Sequence, residues 1–122
     1  MKKILLVEDD PFLLDMYTTK FKDVGFNMVV AQDGELALIK AKEESPDLIL
    51  LDVVLPKKDG FEVLKILKSE SQTAAIPVVL LTNLGLDSDV KRGLELGAQA
   101  YIVKAHFTPT EVVAKIKEIL DK

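Results

Sequence analysis

The sequence contains no cysteine and a single histidine, His106. Without cysteine there can be no disulfide bond and no thiolate nucleophile, and this composition fits the cytoplasm. The apolar stretches fall far short of the roughly 20 residues that a membrane-spanning helix needs. Only four apolar residues separate Lys3 from Glu8, too few for the hydrophobic region of a secretory signal. We therefore expect a cytoplasmic protein with no membrane segment.

A surplus of positive charge is also missing. The 122 residues include 20 acidic and 16 basic side chains, and the formal net charge is −4. Direct binding of nucleic acid usually needs a basic face, so we do not expect it here. Hydrophobic residues make up 48% and charged residues 30%, which is the balance of an ordinary globular protein. The length predicts one domain over residues 1–122.

Short apolar runs alternate with longer segments of helical periodicity. The runs are rich in Ile, Val and Leu at every position, which is typical of parallel strands buried on both faces. Strands are predicted at residues 3–7, 26–31, 48–51, 78–81 and 101–103. Each strand is followed by a predicted helix, so β-α occurs five times. Right-handed crossovers then place helices on both faces of a five-stranded parallel sheet.

Polar residues mark the ends of the predicted helices. Asp10-Pro11, Asp33, Asp59-Gly60, Asp87 and Thr108-Pro109 are the predicted starts. In the first helix, an apolar stripe is predicted to end at Gly25 and consists of Leu13, Leu14, Tyr17, Phe21 and Val24. The fourth helix is predicted over residues 87–96, with Gly97 just beyond it.

Four of the strands end on a polar residue of a particular kind. Glu8-Asp9-Asp10 follow the first strand, Asp52 the third, Thr82 the fourth and Lys104 the fifth. Functional groups in open parallel sheets gather at the carboxyl ends of the strands. If strands one and three are neighbours, their carboxylates converge, and a bound cation would relieve the repulsion between them. Oxygen ligands favour Mg²⁺ or Mn²⁺, and the hydroxyl and ammonium groups suit a phosphoryl group.

Several segments of the chain together resemble one known family, the receiver domain of two-component response regulators. The resemblance covers nearly the whole chain and is carried by residues 4–11, 46–52, 55–60, 81–82 and 97–104. It implies a flavodoxin-like (βα)₅ fold, that is, a doubly wound three-layer α/β/α sandwich with strand order 2-1-3-4-5. We expect either a stand-alone receiver, with no effector domain within residues 1–122, or a fragment of a longer regulator.

The resemblance assigns a role to each acidic residue of the first and third strand ends. Asp52 is implied as the phosphoacceptor, which takes a phosphoryl group from a sensor histidine kinase or a phosphotransfer protein. Asp9 and Asp52 are implied ligands of Mg²⁺ (or Mn²⁺), with the backbone carbonyl of Val54 as a third ligand. Glu8 is expected to act through water, whereas Asp10 is expected to cap the first helix.

The resemblance also implies a conformational switch. Thr82 and Lys104 would contact the phosphoryl oxygens, and Tyr101 would turn inward as Thr82 moves toward the phosphate. The face formed by the fourth helix, the fifth strand and the fifth helix would then change and bind a downstream protein target. Such a domain is not an enzyme beyond its own phosphorylation and slow dephosphorylation. Both a monomer and a phospho-dependent dimer fit the family.

Three departures from the common pattern of the family affect these expectations. Lys104 is followed by Ala105 rather than proline, so we expect a trans peptide there and a loop one residue longer. His106 lies in this loop, and we expect it to be exposed. Asn83 stands where a small residue is more common and could narrow access to the phosphoryl group.

The third departure concerns the lifetime of the phosphoryl group. Val54 and Leu84 stand two residues after Asp52 and Thr82, and both are apolar. In the family these positions flank the path of the hydrolytic water. Two apolar side chains should exclude that water, so we expect slow self-dephosphorylation.

Three other readings of the same residues stay open at this point. A docking-only pseudo-receiver is one, although Asp9, Asp52, Thr82 and Lys104 are all present. A phosphohydrolase with an aspartate nucleophile usually carries an Asp-x-Asp pair and a cap insertion, which this sequence does not show. A flavin-binding module would need a first loop rich in Ser, Thr and Gly, whereas this loop is acidic.

Overall fold

Strands and helices alternate along the chain in the computed structural model, which describes residues 2–121. The strands are β1 (Lys3–Val7), β2 (Asn27–Ala31), β3 (Leu48–Leu51), β4 (Val78–Thr82) and β5 (Ala100–Val103). The α-helices are α1 (Pro11–Asp23), α2 (Gly34–Glu44), α3 (Gly60–Ser69), α4 (Asp87–Glu95) and α5 (Pro109–Leu120), and a short 3₁₀ helix over Lys104–His106 precedes α5. Each predicted element is present, with bounds within one residue of those expected.

The strands form one parallel sheet of order β2-β1-β3-β4-β5. Alternate residues of each strand face opposite sides of the sheet, and both sides are apolar. On one side, Ile4 and Leu6 belong to a core shared with α1 and α5. On the other side, Leu5 and Val7 belong to a core shared with α2 and α3. The three-layer flavodoxin-like fold expected from the sequence is confirmed.

Side-chain caps explain where most of the helices begin. Asp10 accepts hydrogen bonds from the backbone N–H groups of Phe12 and Leu13, which a helix cannot satisfy internally in its first turn. Asp33 and Asp59 cap α2 and α3 in the same way, and Thr108 caps α5 in a reciprocal pair with the carboxylate of Glu111. Gly25 and Gly97, with φ of +97° and +108°, follow α1 and α4 as expected.

One residue of the predicted α1 stripe lies outside the core. Val24 is the residue that follows the last turn of α1, and its side chain is 47% exposed. The stripe therefore ends at Phe21, which is fully buried. The helix has already begun to unwind at Val24, so the 3.6-residue periodicity no longer determines the direction of its side chain.

Among residues 2–121, no helix is both long and apolar enough to span a bilayer.

Candidate functional site

The register of the sheet places the acids at the ends of β1 and β3 side by side. Val7 of β1 is the partner of Leu51 of β3, so Glu8 and Asp52 leave the sheet at the same level. The amide of Asp52 also donates to the carbonyl of Val7. The expected convergence of these two carboxylates therefore follows directly from the parallel pairing of β1 with β3.

The other two polar ends reach the same edge from β4 and β5. Thr82 is the partner of Val103, and Lys104 follows immediately. A pocket of about 310 Å³ opens between these strand ends. Its lining includes every predicted site residue except Leu84 and Tyr101 and consists of Glu8, Asp9, Asp10, Leu13, Asp52, Val54, Thr82, Asn83 and Lys104.

Three carboxylates in this pocket could hold a metal ion. Glu8, Asp9 and Asp52 each offer an oxygen, and these oxygens lie within 4.8 Å of one another. Glu8 and Asp52 are buried, at 2% and 6% exposure, whereas Asp9 is exposed. Hard oxygen donors of this kind suit Mg²⁺ or Mn²⁺, and the exposed Asp9 leaves the site open to water and to a phosphoryl group. The donor set therefore fits the cation that the sequence predicts.

Lys104 connects two of these carboxylates. Its ammonium group lies 2.8 Å from Oδ2 of Asp52 and also donates to Oε1 of Glu8. Burial alone would lower the pKa of Lys104, but its hydrogen bonds to Asp52 and Glu8 outweigh burial and raise it. The raised pKa therefore keeps Lys104 protonated between two buried acids.

The unusual loop after Lys104 does not prevent this reach. The Lys104–Ala105 peptide is trans, as expected. The loop begins with the short 3₁₀ helix over Lys104–His106, which Phe107 closes by donating its N–H to the carbonyl of Lys104. His106 is exposed, as expected, and does not line the pocket.

Glu8 is the most buried acid of the pocket. Burial raises the pKa of Glu8, although the bond from Lys104 and the backbone N–H of Asp10, 3.1 Å from Oε2, lower it in part. Both oxygens of Glu8 are thus occupied by donors. This arrangement fixes the orientation of the Glu8 side chain within the pocket.

Thr82 links the pocket to the loop between β4 and α4. Its side chain is fully buried, and its hydroxyl oxygen accepts a hydrogen bond of 3.4 Å from the backbone N–H of Leu84. The carbonyl of Leu84 in turn accepts a hydrogen bond from the phenol of Tyr101. Burial, together with the charges of Asp89 and Asp52, raises the pKa of Tyr101 to about 12.

Val54 and Leu84 line one depression beside the pocket, but only one of them also lines the pocket itself. Val54 lines the pocket, its side chain is 61% exposed, and its N–H donates to Oδ1 of Asp52 at 3.2 Å. Leu84 does not line this pocket; it packs against the core and lines a neighbouring depression together with Val54, Phe61 and Arg92. Only Val54 therefore stands directly at the opening of the pocket.

The loop between β3 and α3 has two features that sequence reasoning missed. A Cβ atom built on Gly60 would lie 2.2 Å from the carbonyl oxygen of Asp52, so only glycine lets α3 begin this close to the site. Lys57 has φ of +71°, and the N–H of Lys58 donates to the carbonyl of Pro56, which forms a strained γ-turn. The Asp59-Gly60 pair predicted the helix start, but not this close approach.

Comparisons with known proteins agree with this arrangement. The family model described as the response regulator receiver domain matches residues 4–117. A transcriptional regulatory protein for alkaline phosphatase synthesis, PhoP of Bacillus subtilis, is 44% identical over 119 residues, which cover 98% of this chain and 48% of the relative. The transcriptional regulatory protein CpxR of Escherichia coli is 47% identical over 120 residues, which cover 98% and 50%. The chain thus spans about half the length of the curated relatives it matches.

Solved structures lead to the same family. The chemotaxis protein CheY4 of Vibrio cholerae superimposes with a TM-score of 0.90 at 30% identity, over 98% of both chains. The BeF3-activated N-terminal receiver domain of RstA from Klebsiella pneumoniae has a TM-score of 0.89 at 35% identity, covering 98% of this chain and 99% of that one. Receiver domains are signalling domains rather than conventional enzymes. The chain belongs to the family of response regulator receiver domains.

Proposed function

We propose that this receiver accepts a phosphoryl group on Asp52 and thereby acts as a switch. The observation that supports this most directly is the position of Lys104, whose ammonium group binds the carboxylate of Asp52 within a pocket that also contains Thr82 and the acidic cluster. This collects a nucleophile, hydrogen-bond donors and metal ligands in one place, which phosphoryl transfer requires.

The transfer step forms one bond and breaks one bond. A carboxylate oxygen of Asp52 attacks the phosphorus atom of a phosphohistidine or of acetyl phosphate. The bond from phosphorus to the leaving nitrogen or oxygen breaks, and its electron pair leaves with the imidazole or the acetate. Asp52 needs no base, because it is already an anion beside Lys104.

We propose Asp9, Asp52 and the backbone carbonyl of Val54 as ligands of Mg²⁺, with Glu8 acting through water. The cation would neutralise charge that develops on the phosphoryl oxygens. Lys104 would move from the Asp52 carboxylate to a phosphoryl oxygen, and the Thr82 hydroxyl would leave Leu84 to donate to another. Each side chain can reach its new position by rotation about its own single bonds, so neither change requires refolding of a strand.

Val54 is proposed to prolong the phosphorylated state. Its exposed apolar side chain stands at the pocket opening and offers no polar group to orient a hydrolytic water. Asn83, also exposed at the pocket, is proposed to narrow the path of phosphoryl donors. Leu84 has a smaller proposed effect on water, because its side chain lies outside the pocket.

The proposed partners are a sensor histidine kinase or phosphotransfer protein upstream and a protein target downstream. We propose that the output surface is the face of α4, β5 and α5, because the bond from Tyr101 to Leu84 connects β5 with the loop that leads from Thr82 to α4. Regulation of transcription is stated in the names of the relatives PhoP and CpxR, and it would require a part or a partner beyond this domain.

One experiment tests the central claim. The protein is incubated with acetyl phosphate and Mg²⁺, and its intact mass is expected to rise by about 80 Da, the mass of one phosphoryl group. Asp52→Asn should abolish the adduct. Asp47→Asn should retain it, because Asp47 lies at the opposite end of β3, where its carboxylate accepts from the N–H of Lys3. A folded wild-type protein that binds Mg²⁺ but gains no mass would favour the docking-only alternative.

A further inference from the structure

Helix α4 approaches the sheet through a residue without a side chain. Gly93 is the buried residue of this helix. A Cβ atom built on it would lie 2.6 Å from Cδ1 of Leu80 and 3.0 Å from Cδ2 of Tyr101. Optimal separations between carbon atoms are about 3.5–4.0 Å. The backbone of α4 therefore lies directly on the leucine of β4 and the aromatic ring of β5.

This contact is the last link in a continuous series that begins in the pocket. The hydroxyl of Thr82 accepts from the N–H of Leu84, and the carbonyl of Leu84 accepts from the phenol of Tyr101. The ring of Tyr101 then lies against the backbone of α4 at Gly93. A movement of Thr82 toward a phosphoryl oxygen would therefore reach α4 through four residues in direct contact.

We propose that Gly93 is the positioning residue that allows α4 to cover Tyr101, so that the switch tyrosine can dock with its phenol on the carbonyl of Leu84. The inference deepens the proposed function and rests on it for the link to Asp52. A side chain at position 93 would hold α4 away from the sheet or displace the ring. Either response removes cover from Tyr101.

The packing around Gly93 determines which side chains can move when a Cβ atom is added there. Leu80 is fully buried in the core, where other buried side chains surround it. Tyr101 belongs to β5, which is an edge strand of the sheet, and its ring is only partly buried. The guanidinium of Arg92 lies 4.4 Å from the ring centre of Phe61 and ties α4 to α3. Exposure of Tyr101 is therefore the expected result of adding a methyl group at Gly93.

The exposure of Tyr101 can be measured directly by tyrosine fluorescence. The chain has two tyrosines and no tryptophan, so in a Tyr17→Phe background the tyrosine signal comes from Tyr101 alone. Gly93→Ala in this background should increase quenching of that fluorescence by acrylamide at neutral pH. It should also shift the ionisation midpoint of the phenol from about 12 toward the ordinary value of about 10. Circular dichroism at each pH establishes that the fold persists.

Two further variants separate packing from other effects. Ser88→Ala, at an exposed position of the same helix, should leave quenching unchanged. Leu80→Val removes the Cδ atoms, so the Leu80→Val/Gly93→Ala protein should have quenching between that of Gly93→Ala and that of the parent. Unchanged quenching in folded Gly93→Ala would overturn the proposal, as would a double variant no different from the single one.

The link to Asp52 is measured separately. Coupling between sites is reciprocal for binding free energies, so Gly93→Ala should bind beryllofluoride with Mg²⁺ more weakly, by the factor by which the docked population of Tyr101 falls. Equal affinity in the two proteins, with Tyr101 more exposed in the variant, would overturn the coupling. The quenching measurement needs no phosphoryl donor, so it decides the packing even if Asp52 is not phosphorylated.

Discussion

The ammonium group of Lys104 lies 2.8 Å from Oδ2 of Asp52 and also donates to Oε1 of Glu8, so a single cation holds two buried carboxylates together. Neither carboxylate could be buried beside the other without this compensation or a metal ion. The strand ends of β1, β3 and β5 are therefore tied by charge as well as by the sheet. This relationship makes the pocket sensitive to the loss of the lysine.

Lys104→Met should destabilise the metal-free protein. The substitution keeps a long apolar side chain but leaves Glu8 and Asp52 buried without their cation, and loss of one partner from a buried pair costs about 3 kcal/mol. Asp52→Asn should cost less, since Lys104 keeps its bond to Glu8. Urea unfolding with a chelator present measures both. Equal stability of Lys104→Met and wild type would show that the ion pairs contribute nothing net.

Mg²⁺ should stabilise the protein through Asp9. Ligand at 100 times its Kd stabilises the folded state by about 2.7 kcal/mol, and Asp9→Asn should remove most of this gain because it deletes one carboxylate of the cluster. Asp15→Asn is the matched control, an exposed acid on α1 outside this pocket. Thermal unfolding with and without Mg²⁺ gives the comparison. The proposed ligand set is wrong if Asp9→Asn keeps the full shift.

Val54→Asn should shorten the lifetime of the phosphorylated protein. An amide at this exposed position can hydrogen-bond the attacking water, and a barrier lower by about 1.4 kcal/mol gives a tenfold faster loss. Leu84→Glu should change the rate less, because Leu84, unlike Val54, does not line the pocket. Decay of the phosphorylated mass after donor removal measures each rate. The apolar side chains do not explain slow hydrolysis if both Val54→Asn and the Val54→Asn/Leu84→Glu double variant lose the phosphoryl group no faster than wild type.

Alkaline pH should reveal the burial of Tyr101. Its pKa rises from 10.0 when unfolded to about 12 in the folded protein, so the folded state holds the proton more tightly. The associated stability is complete below pH 10.0 and is lost as the pH rises toward 12. Tyr101→Phe should therefore have a shallower decline of the unfolding free energy across this window. Because Lys104 and Tyr17 also have raised pKa values, a residual decline is expected, and identical slopes would contradict the burial.

Helix α4 illustrates what sequence patterns can and cannot predict. Its position after β4 and its end at Gly97 were predictable from polar and glycine residues that act locally. Gly93, however, looks like an unfavourable helix residue in the sequence, and its value lies in the contact that it permits with Leu80 and Tyr101. That contact joins three separate elements, so no local pattern contains it.

Leu84 illustrates the same limit within the site. The resemblance to the family implied that its side chain, like that of Val54, would flank the path of the hydrolytic water. The chain turns after β4, however, and the side chain of Leu84 packs into the core while its backbone groups bond to Thr82 and Tyr101. Sequence spacing determined which residues leave the strand ends, but the loop conformation decided which way each side chain points.

The sequence by itself determined the alternation of buried strands and capped helices, and with it the meeting of Glu8, Asp52, Thr82 and Lys104 at one edge, because apolar periodicity and helix caps are local and parallel pairing aligns strand ends. Only the tertiary structure decided that Lys104 bridges two acids, that Gly60 brings α3 against Asp52, and that Gly93 brings α4 onto Tyr101. These are distances between residues far apart in the chain, and they are fixed by how whole elements pack.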